Sequence, residues 1–213
     1  MKGILIKDLY VAAKQCRYLL ISPIVFIAIS VFGQNTGTLF FAFFASLLMS
    51  MFPMTIMSFD ERSRWDVFSI ALPYKRSDIV LSKYVLSMAG NIAAAALYFV
   101  ISLIVNAGNW DLEFNFSIAV IAASFGFIYT AIAFPPIFKL GVEKGRIWYL
   151  VSIVAISAIG GGLAENASGF FTPTTEPIPM ENLSAGLIAF PISVILVAIS
   201  ALISIKFYEK REF

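Results

Sequence analysis

Six long apolar stretches that contain no Asp, Glu, Lys or Arg dominate this chain of 213 residues. A membrane-spanning helix needs about 20 consecutive, mostly apolar residues, and charge-free segments of this kind are the ones that insert. We therefore predict an all-α integral membrane protein with six transmembrane helices. The predicted spans cover residues 18–33, 37–59, 84–107, 114–138, 147–164 and 183–205.

The basic residues give these spans an orientation. All 15 Lys and Arg fall in the N-terminal segment, in the segments between spans two and three and between spans four and five, and in the C-terminal tail. The other three connecting segments carry only acids or no charge at all. Because segments rich in Lys and Arg stay in the cytoplasm, this alternation places both termini there and requires an even number of spans.

The composition fits a single transmembrane domain over residues 1–213. Hydrophobic residues make up 60% of the chain and charged residues 13%, with a mean hydropathy of +0.88. A soluble domain carries about 25% charged residues, so we expect no soluble catalytic module. The basic residues flank spans, where they contact anionic lipid headgroups, and the net charge of +2 does not indicate nucleic-acid binding.

The residue types that catalysis requires are scarce. The sequence has no histidine, which excludes Ser–His catalysis and most zinc sites. Its single cysteine, Cys16, cannot form an internal disulfide and is expected to be a small buried side chain. The cluster at 141–146 lacks the Lys-Ser/Thr pair of a phosphate-binding loop. We expect no enzymatic activity, no metal and no cofactor.

The predicted spans also lack the ionisable groups of ion-driven transporters. A charge at the bilayer centre costs about 2.5–3.5 kcal/mol on the insertion scale, and those that are retained are usually functional. Since we expect none here, any transport is predicted to be passive or to be driven by a partner protein.

Residues 1–17 are predicted to form an amphipathic helix at the membrane surface. Lys7, Asp8, Lys14 and Gln15 are placed on its polar side. The apolar residues recur at intervals of three and four, at Ile4, Leu5, Leu9, Ala12, Ala13 and Cys16. Two roles remain open for this helix: it anchors the chain in the membrane surface, or it is an elbow that supports a cytoplasmic partner.

Residues 60–83 form the longest and most charged cytoplasmic segment, yet they carry apolar side chains that a disordered linker would lack. Trp65, Phe68 and Leu72 have the spacing of one helix face, and Pro73 ends that helix. A second helix is predicted to begin near Ser77 and to continue into the third span. The segment is expected either to lie at the membrane interface or to dock into a groove on a cytoplasmic protein.

This segment resembles the one that follows the second span in permease subunits of ABC transporters of the type-2 exporter class. The opening residues Met1-Lys2-Gly3 and Lys7-Asp8-Leu9 also match a common start in that class. Within the segment, the resemblance rests on Glu61, Trp65, Leu72, Pro73, Lys75, Arg76, Ile79, Val80, Ser82, Lys83 and Tyr84.

The resemblance implies a bacterial plasma-membrane permease that works with partners. Two permease chains, identical or sister subunits, would form a dimer, and two copies of a separate ABC ATPase would bind below it. Relatives in this class include exporters of amphipathic cytotoxic peptides, such as phenol-soluble-modulin exporters, and exporters that give resistance to antibiotic peptides. The motif itself does not identify the substrate, which is expected to be a hydrophobic or amphipathic molecule such as a peptide. The loop that couples to the ATPase would then be 60–83, with its contacts at Glu61, Arg64, Trp65, Phe68, Leu72, Pro73, Lys75 and Arg76.

Two further segments bear on the substrate. Phenylalanines crowd the second span, and they are predicted either to face lipid or to line an apolar substrate path through Phe40, Phe44 and Phe52. Residues 165–182 contain three prolines and no basic residue, and they are predicted to form an irregular extracellular loop.

Two other classes of membrane protein fit the length and the span count. A substrate-binding membrane subunit of a vitamin-type importer would show polar ligand-binding residues near its outer face. An immunity protein or passive channel would work without an ATPase.

Overall fold

The computed structural model describes residues 2–32, 38–65, 75–105, 112–166 and 180–210. These residues form seven helices, and they contain no β-strand. The helices are α1 (Lys2–Gln15), α2 (Arg17–Phe32), α3 (Thr38–Arg62), α4 (Arg76–Val105), α5 (Leu112–Leu140), α6 (Val142–Asn166) and α7 (Met180–Glu209).

Four of these helices, α3, α4, α5 and α7, are long and apolar enough over their described residues to cross a membrane. α1 and α2 meet at a bend of 77° and count together as a fifth candidate span. The predictions of an all-helical chain and of a multi-pass membrane protein are confirmed for the described residues. The six spans and the cytoplasmic termini stay predictions, with α6 covering the predicted fifth span.

α5 is the central helix and packs against α3, α4, α6 and α7. Its contact surfaces carry small buried residues such as Ala119, Ala123 and Gly126. Small residues allow helix backbones to approach closely where no hydrophobic effect drives association. The sequence 119–126 thereby lets α5 occupy the middle of the bundle.

Buried polar side chains join α3, α4 and α5 in the middle of the bundle. Asn91 Nδ2 donates hydrogen bonds to Ser50 Oγ, at 3.1 Å, and to the carbonyl of Ser87, at 3.0 Å. Ser50 Oγ lies 3.0 Å from the carbonyl of Gly126, to which it donates, and Ser87 Oγ is 2.7 Å from Thr130 Oγ1. The small polar residues of α4 therefore serve packing within the chain.

The helices extend into both long segments that are predicted as loops. α3 continues to Arg62 and α4 begins at Arg76, so both ends of 60–83 are helical. α6 continues to Asn166 and α7 begins at Met180, which shortens the predicted loop 165–182 at both ends. Residues 66–74 and 167–179 lie outside the described residues.

The first helix packs against α2, α3 and α4, and the sequence predicts only part of the face that it uses. Its buried residues recur every fourth position, at Ile4, Asp8, Ala12 and Cys16. The expectation that Asp8 lies on the polar side, opposite Ile4 and Ala12, is therefore wrong. The physical reason is a buried basic partner for Asp8, which is described below.

Candidate coupling site at the basic end of the bundle

Most of the described Lys and Arg side chains lie at one end of the helical bundle, where α3 and α7 end and α4 and α6 begin. We call this the basic end. It also holds α1 and the two described ends of segment 60–83, which we call the coupling segment. The hydrogen bonds and ion pairs at this end join the coupling segment to other helices.

The last turn of α3 leads the chain into the coupling segment. The N–H and the Oγ of Ser63 both donate to the carbonyl of Phe59, at 3.0 and 2.9 Å. Arg64 then adopts a left-handed backbone conformation with φ of 52°, which residues other than glycine rarely do. The chain thus leaves the helix at Arg64, directly before Trp65.

Glu61 connects the end of α3 to the start of α6. Its Oε1 accepts a hydrogen bond from the backbone N–H of Val142 at 3.0 Å. The first N–H groups of a helix have no partner within the helix, and the positive end of its dipole favours a carboxylate. Gly141, with φ of 86°, makes the tight connection between α5 and α6. A carboxylate from the coupling segment therefore holds the start of α6 in place.

Arg76 connects the start of α4 to the end of α7. Its Nη1 donates a hydrogen bond to the carbonyl of Glu209 at 2.9 Å. The last carbonyls of a helix lack partners within the helix, and a cation there is favoured by the helix dipole. The far end of the coupling segment is thus attached to the last helix of the chain.

Four side chains at the basic end form a closed ring of alternating charge, which we call the charge ring. It consists of Lys7 and Asp8 from α1, Asp60 from α3 and Lys83 from α4. Lys83 Nζ lies 2.8 Å from both carboxylate oxygens of Asp8 and 2.9 Å from Asp60 Oδ2. Lys7 Nζ lies 2.7 Å from Asp60 Oδ1 and 3.1 Å from Asp8 Oδ1. Every member therefore has two neighbours of opposite charge.

The charge ring is withdrawn from solvent. The side chain of Asp8 is fully buried and that of Lys83 is 2% exposed, whereas Lys7 is 22% exposed. Burying an ion costs several kcal/mol, and close pairing with further hydrogen bonds is needed to offset that cost. The alternating arrangement meets this requirement, and it ties α1, α3 and α4 together at one point.

The charge ring lies at the edge of the predicted spans, so the absence of charged residues inside a span stays a prediction. Asp60 and Lys83 lie one residue outside the predicted second and third spans, yet both fall within helices that are apolar enough to cross a membrane. Lys83 points between helices rather than into the headgroup layer. The sequence does contain one signal for this arrangement. Asp8 has the same four-residue spacing as the buried Ala12 and Cys16, which places all three on one helix face.

Trp65 places the coupling segment against the charge ring. Lys7 Nζ lies 4.5 Å from the centroid of the Trp65 ring, within the ~6 Å range of a cation–π interaction. The indole is half-buried. The side chain that follows the end of α3 is thus in contact with a basic residue of α1.

The structure describes five of the eight residues that are predicted to contact an ATPase. Glu61 and Arg76 bond to other helices, and Trp65 contacts α1. Arg64 and Lys75 are exposed. The remaining three, Phe68, Leu72 and Pro73, lie outside the described residues.

The three phenylalanines predicted to line a substrate path do not share one surface. Phe40 and Phe44 are 55% and 36% exposed, with ring centroids 6.2 Å apart. Phe52 is 4% exposed and belongs to a buried cluster with Ala12 and Leu86. Phe52 is thus covered by α1 and α4, and its place on a substrate path stays a prediction.

Within the described residues, no group of three or more Cys, Asp or Glu side chains is arranged to hold a metal ion. The site consists of helix ends joined by charged side chains. Because each of these contacts joins two helices, together they fix the positions of the helices relative to one another.

The family model described as ABC-2 family transporter protein matches residues 3–209. The match includes every helix that contributes to the basic end. A search of curated proteins gives no match to this chain.

Proposed function

Because the chain belongs to the ABC-2 family of transporter membrane proteins, we propose that it is the permease subunit of an ATP-driven exporter. Membership of this family implies an ABC ATPase partner. In our proposal two permease chains, identical or sister subunits, form the path through a bacterial plasma membrane, and two ATPase copies bind at the basic end. The substrate is a hydrophobic or amphipathic molecule, most simply a peptide.

One observation carries the coupling role. The two ends of the coupling segment are bonded to every other segment at the basic end: Glu61 to the start of α6, Arg76 to the end of α7, and Asp60 with Lys83 to α1. A displacement applied to this segment therefore reaches five helices directly. A free interfacial helix has no need of these attachments.

The surface offered to the ATPase combines apolar and basic side chains. The sequence predicts that Trp65, Phe68 and Leu72 share an apolar helix face that ends at Pro73, and the exposed Arg64 and Lys75 precede and follow this stretch. Apolar anchors surrounded by charge are the usual make-up of a docking interface. The ATPase groove that accepts this segment is expected to be apolar at its base and acidic at its rim.

The substrate path in this proposal lies along the exposed part of α3. Phe40 and Phe44 offer aromatic surface there, which suits an apolar or amphipathic molecule. The described candidate spans hold their charges near the basic end, except for Glu113 at the opposite end of α5. This distribution supports energy supplied by ATP hydrolysis rather than by an ion gradient.

Affinity purification of the tagged chain in mild detergent, with mass spectrometry of co-purifying proteins, tests the proposal. We expect an ABC ATPase in about equal amount. Recovery of the chain alone in several detergents would contradict the proposal and favour a channel or immunity protein.

Substitutions in the coupling segment test the mechanism. Trp65→Ala and Leu72→Asp should reduce the permease-dependent stimulation of ATPase activity in proteoliposomes, while insertion and dimerisation stay normal. Lys144→Ala, at an exposed position on α6, serves as the control and should leave the stimulation unchanged. Native stimulation in both coupling variants would contradict the coupling role.

A further inference from the structure

We propose that the charge ring holds α1 to α3 and α4 as one unit, and that α1 is thereby a moving part of the coupling machinery. A helix that merely rests on the membrane surface does not need this ring. This inference rests on the proposed function and assigns a positioning role to Lys7, Asp8, Asp60 and Lys83, none of which contacts a substrate.

The first argument is energetic. Apolar side chains at positions 8 and 83 would anchor α1 at least as well, because replacing a buried ion pair with apolar residues is often neutral or stabilising. Buried charges instead fix one register, since each must meet its opposite at hydrogen-bond distance. The distances of 2.7 to 3.1 Å around all four sides show that this condition is met.

The second argument comes from the two faces of α1. Its outer face carries Ile6, Leu9 and Tyr10, which are 68%, 55% and 65% exposed. This face suits the headgroup layer, where an apolar surface lets the helix slide. The inner face carries Asp8, bonded to Lys83. The helix is thus free on the lipid side and held by charges on the protein side.

The third argument is the order of connections. Trp65, in the coupling segment, lies against Lys7, and Lys7 is bonded to Asp60 at the end of α3. α1 continues through the 77° bend at Cys16 into α2. A displacement of the coupling segment therefore passes through the charge ring to α1, and from there it changes the tilt of α2.

Distances between spin labels test the inference. Labels are placed at the exposed positions Leu9 on α1 and Val85 on α4, in a Cys16→Ala background, and pulsed electron resonance is measured in nanodiscs. A second pair, Leu9 and the exposed Lys206 on α7, reports motion of α1 against the last helix.

In the permease–ATPase complex, the distance between Leu9 and Val85 should stay a single narrow peak when ATP and vanadate are added. The distance between Leu9 and Lys206 should shift. A nucleotide-dependent shift between Leu9 and Val85 would show that α1 does not move with α4, and it would overturn the inference.

Removal of the ring is measured on the isolated chain, so that it does not depend on the ATPase. Asp8→Asn combined with Lys83→Met leaves the Lys7–Asp60 pair intact and should broaden the peak between Leu9 and Val85. Lys7→Gln, at the partly exposed member, is a milder variant that should broaden it less. Lys144→Met is the control and should not change it. A narrow peak in both ring variants would overturn the inference.

A charge exchange separates a ring from a simple pair. Exchanging Asp8 and Lys83 places each beside a like charge at Lys7 or Asp60, so the narrow peak should not return. Exchanging all four charges should restore it. Restoration by the two-residue exchange alone would show an ordinary ion pair and overturn the ring. Failure of the proposed function would be visible separately, as the absence of a co-purifying ATPase.

Discussion

The side chain of Asn91 on α4 lies directly against the backbone of Gly126 on α5. A Cβ atom added at position 126 would lie 2.0 Å from Asn91 Oδ1, and the Asn91 amide is held by hydrogen bonds to Ser50 and Ser87. Residue 126 must therefore be glycine for α4 and α5 to approach as they do.

We expect Gly126→Ala to destabilise the bundle by about 1–3 kcal/mol, the usual cost of overpacking. The measurement is the thermal midpoint of the detergent-solubilised protein, followed by size-exclusion chromatography. Gly90→Ala is the matched control, because a Cβ there would meet Met49 Sδ at an ordinary 3.5 Å. Equal losses in both variants would contradict this account of the contact.

Arg64→Gly should stabilise the protein. Arg64 has a φ of 52°, and a left-handed conformation costs a residue with a Cβ roughly 1–2 kcal/mol, whereas glycine adopts it freely. The thermal midpoint should rise. Arg62→Gly, at the helical end of α3, should lower it instead, and a fall in both variants would show that the strain is offset elsewhere.

Glu61→Ala should loosen the first turn of α6. The carboxylate accepts the N–H of Val142, and a charge at a helix N-terminus contributes about 0.3–1 kcal/mol beyond the hydrogen bond. Hydrogen–deuterium exchange of peptides covering the start of α6 should accelerate most in Glu61→Ala and less in Glu61→Gln, which keeps an acceptor oxygen. Glu143→Ala removes an exposed acid nearby, and an equal effect there would contradict the specific contact.

Cys16 should react slowly with maleimide in the folded protein. Its side chain is 4% exposed, so the reagent reaches the sulfur only when α1 detaches or the protein unfolds. Labelling should stay slow between pH 7 and pH 8 and should become fast in denaturant. Ala13→Cys in a Cys16→Ala background, at an exposed position on the same helix, should label quickly without denaturant. Rapid labelling of native Cys16 would show that α1 detaches readily.

The position of the coupling segment follows from the sequence because hydropathy and charge are read along the chain. Residues 60–83 combine basic charge with apolar side chains between two apolar stretches, and the described parts of the segment, 60–65 and 75–83, lie at the end of α3 and the start of α4. Continuation of α4 from Arg76 into the third predicted span also agrees with the expectation.

The charge ring does not follow from the sequence because its members are far apart along the chain. Lys7 is separated from Asp60 by 53 residues, and Asp8 from Lys83 by 75. Each charge alone fits a residue at a membrane boundary. Only the packing of α1 against α3 and α4 shows that the four share one buried point.

The burial of Phe52 escaped prediction for a different reason. In water, the buried face of a helix is apolar and the exposed face is polar, so the sequence marks the difference. In a membrane both faces are apolar, so Phe40 on the surface of α3 and Phe52 in its interior look alike in the sequence.

The separation of Asp8 and Lys83 along the chain also sets an order for biosynthesis. Asp8 precedes Lys83 by 75 residues, so α1 is made well before the α4 lysine that its carboxylate binds. α1 therefore cannot take its final place in the charge ring until the start of α4 has been synthesised.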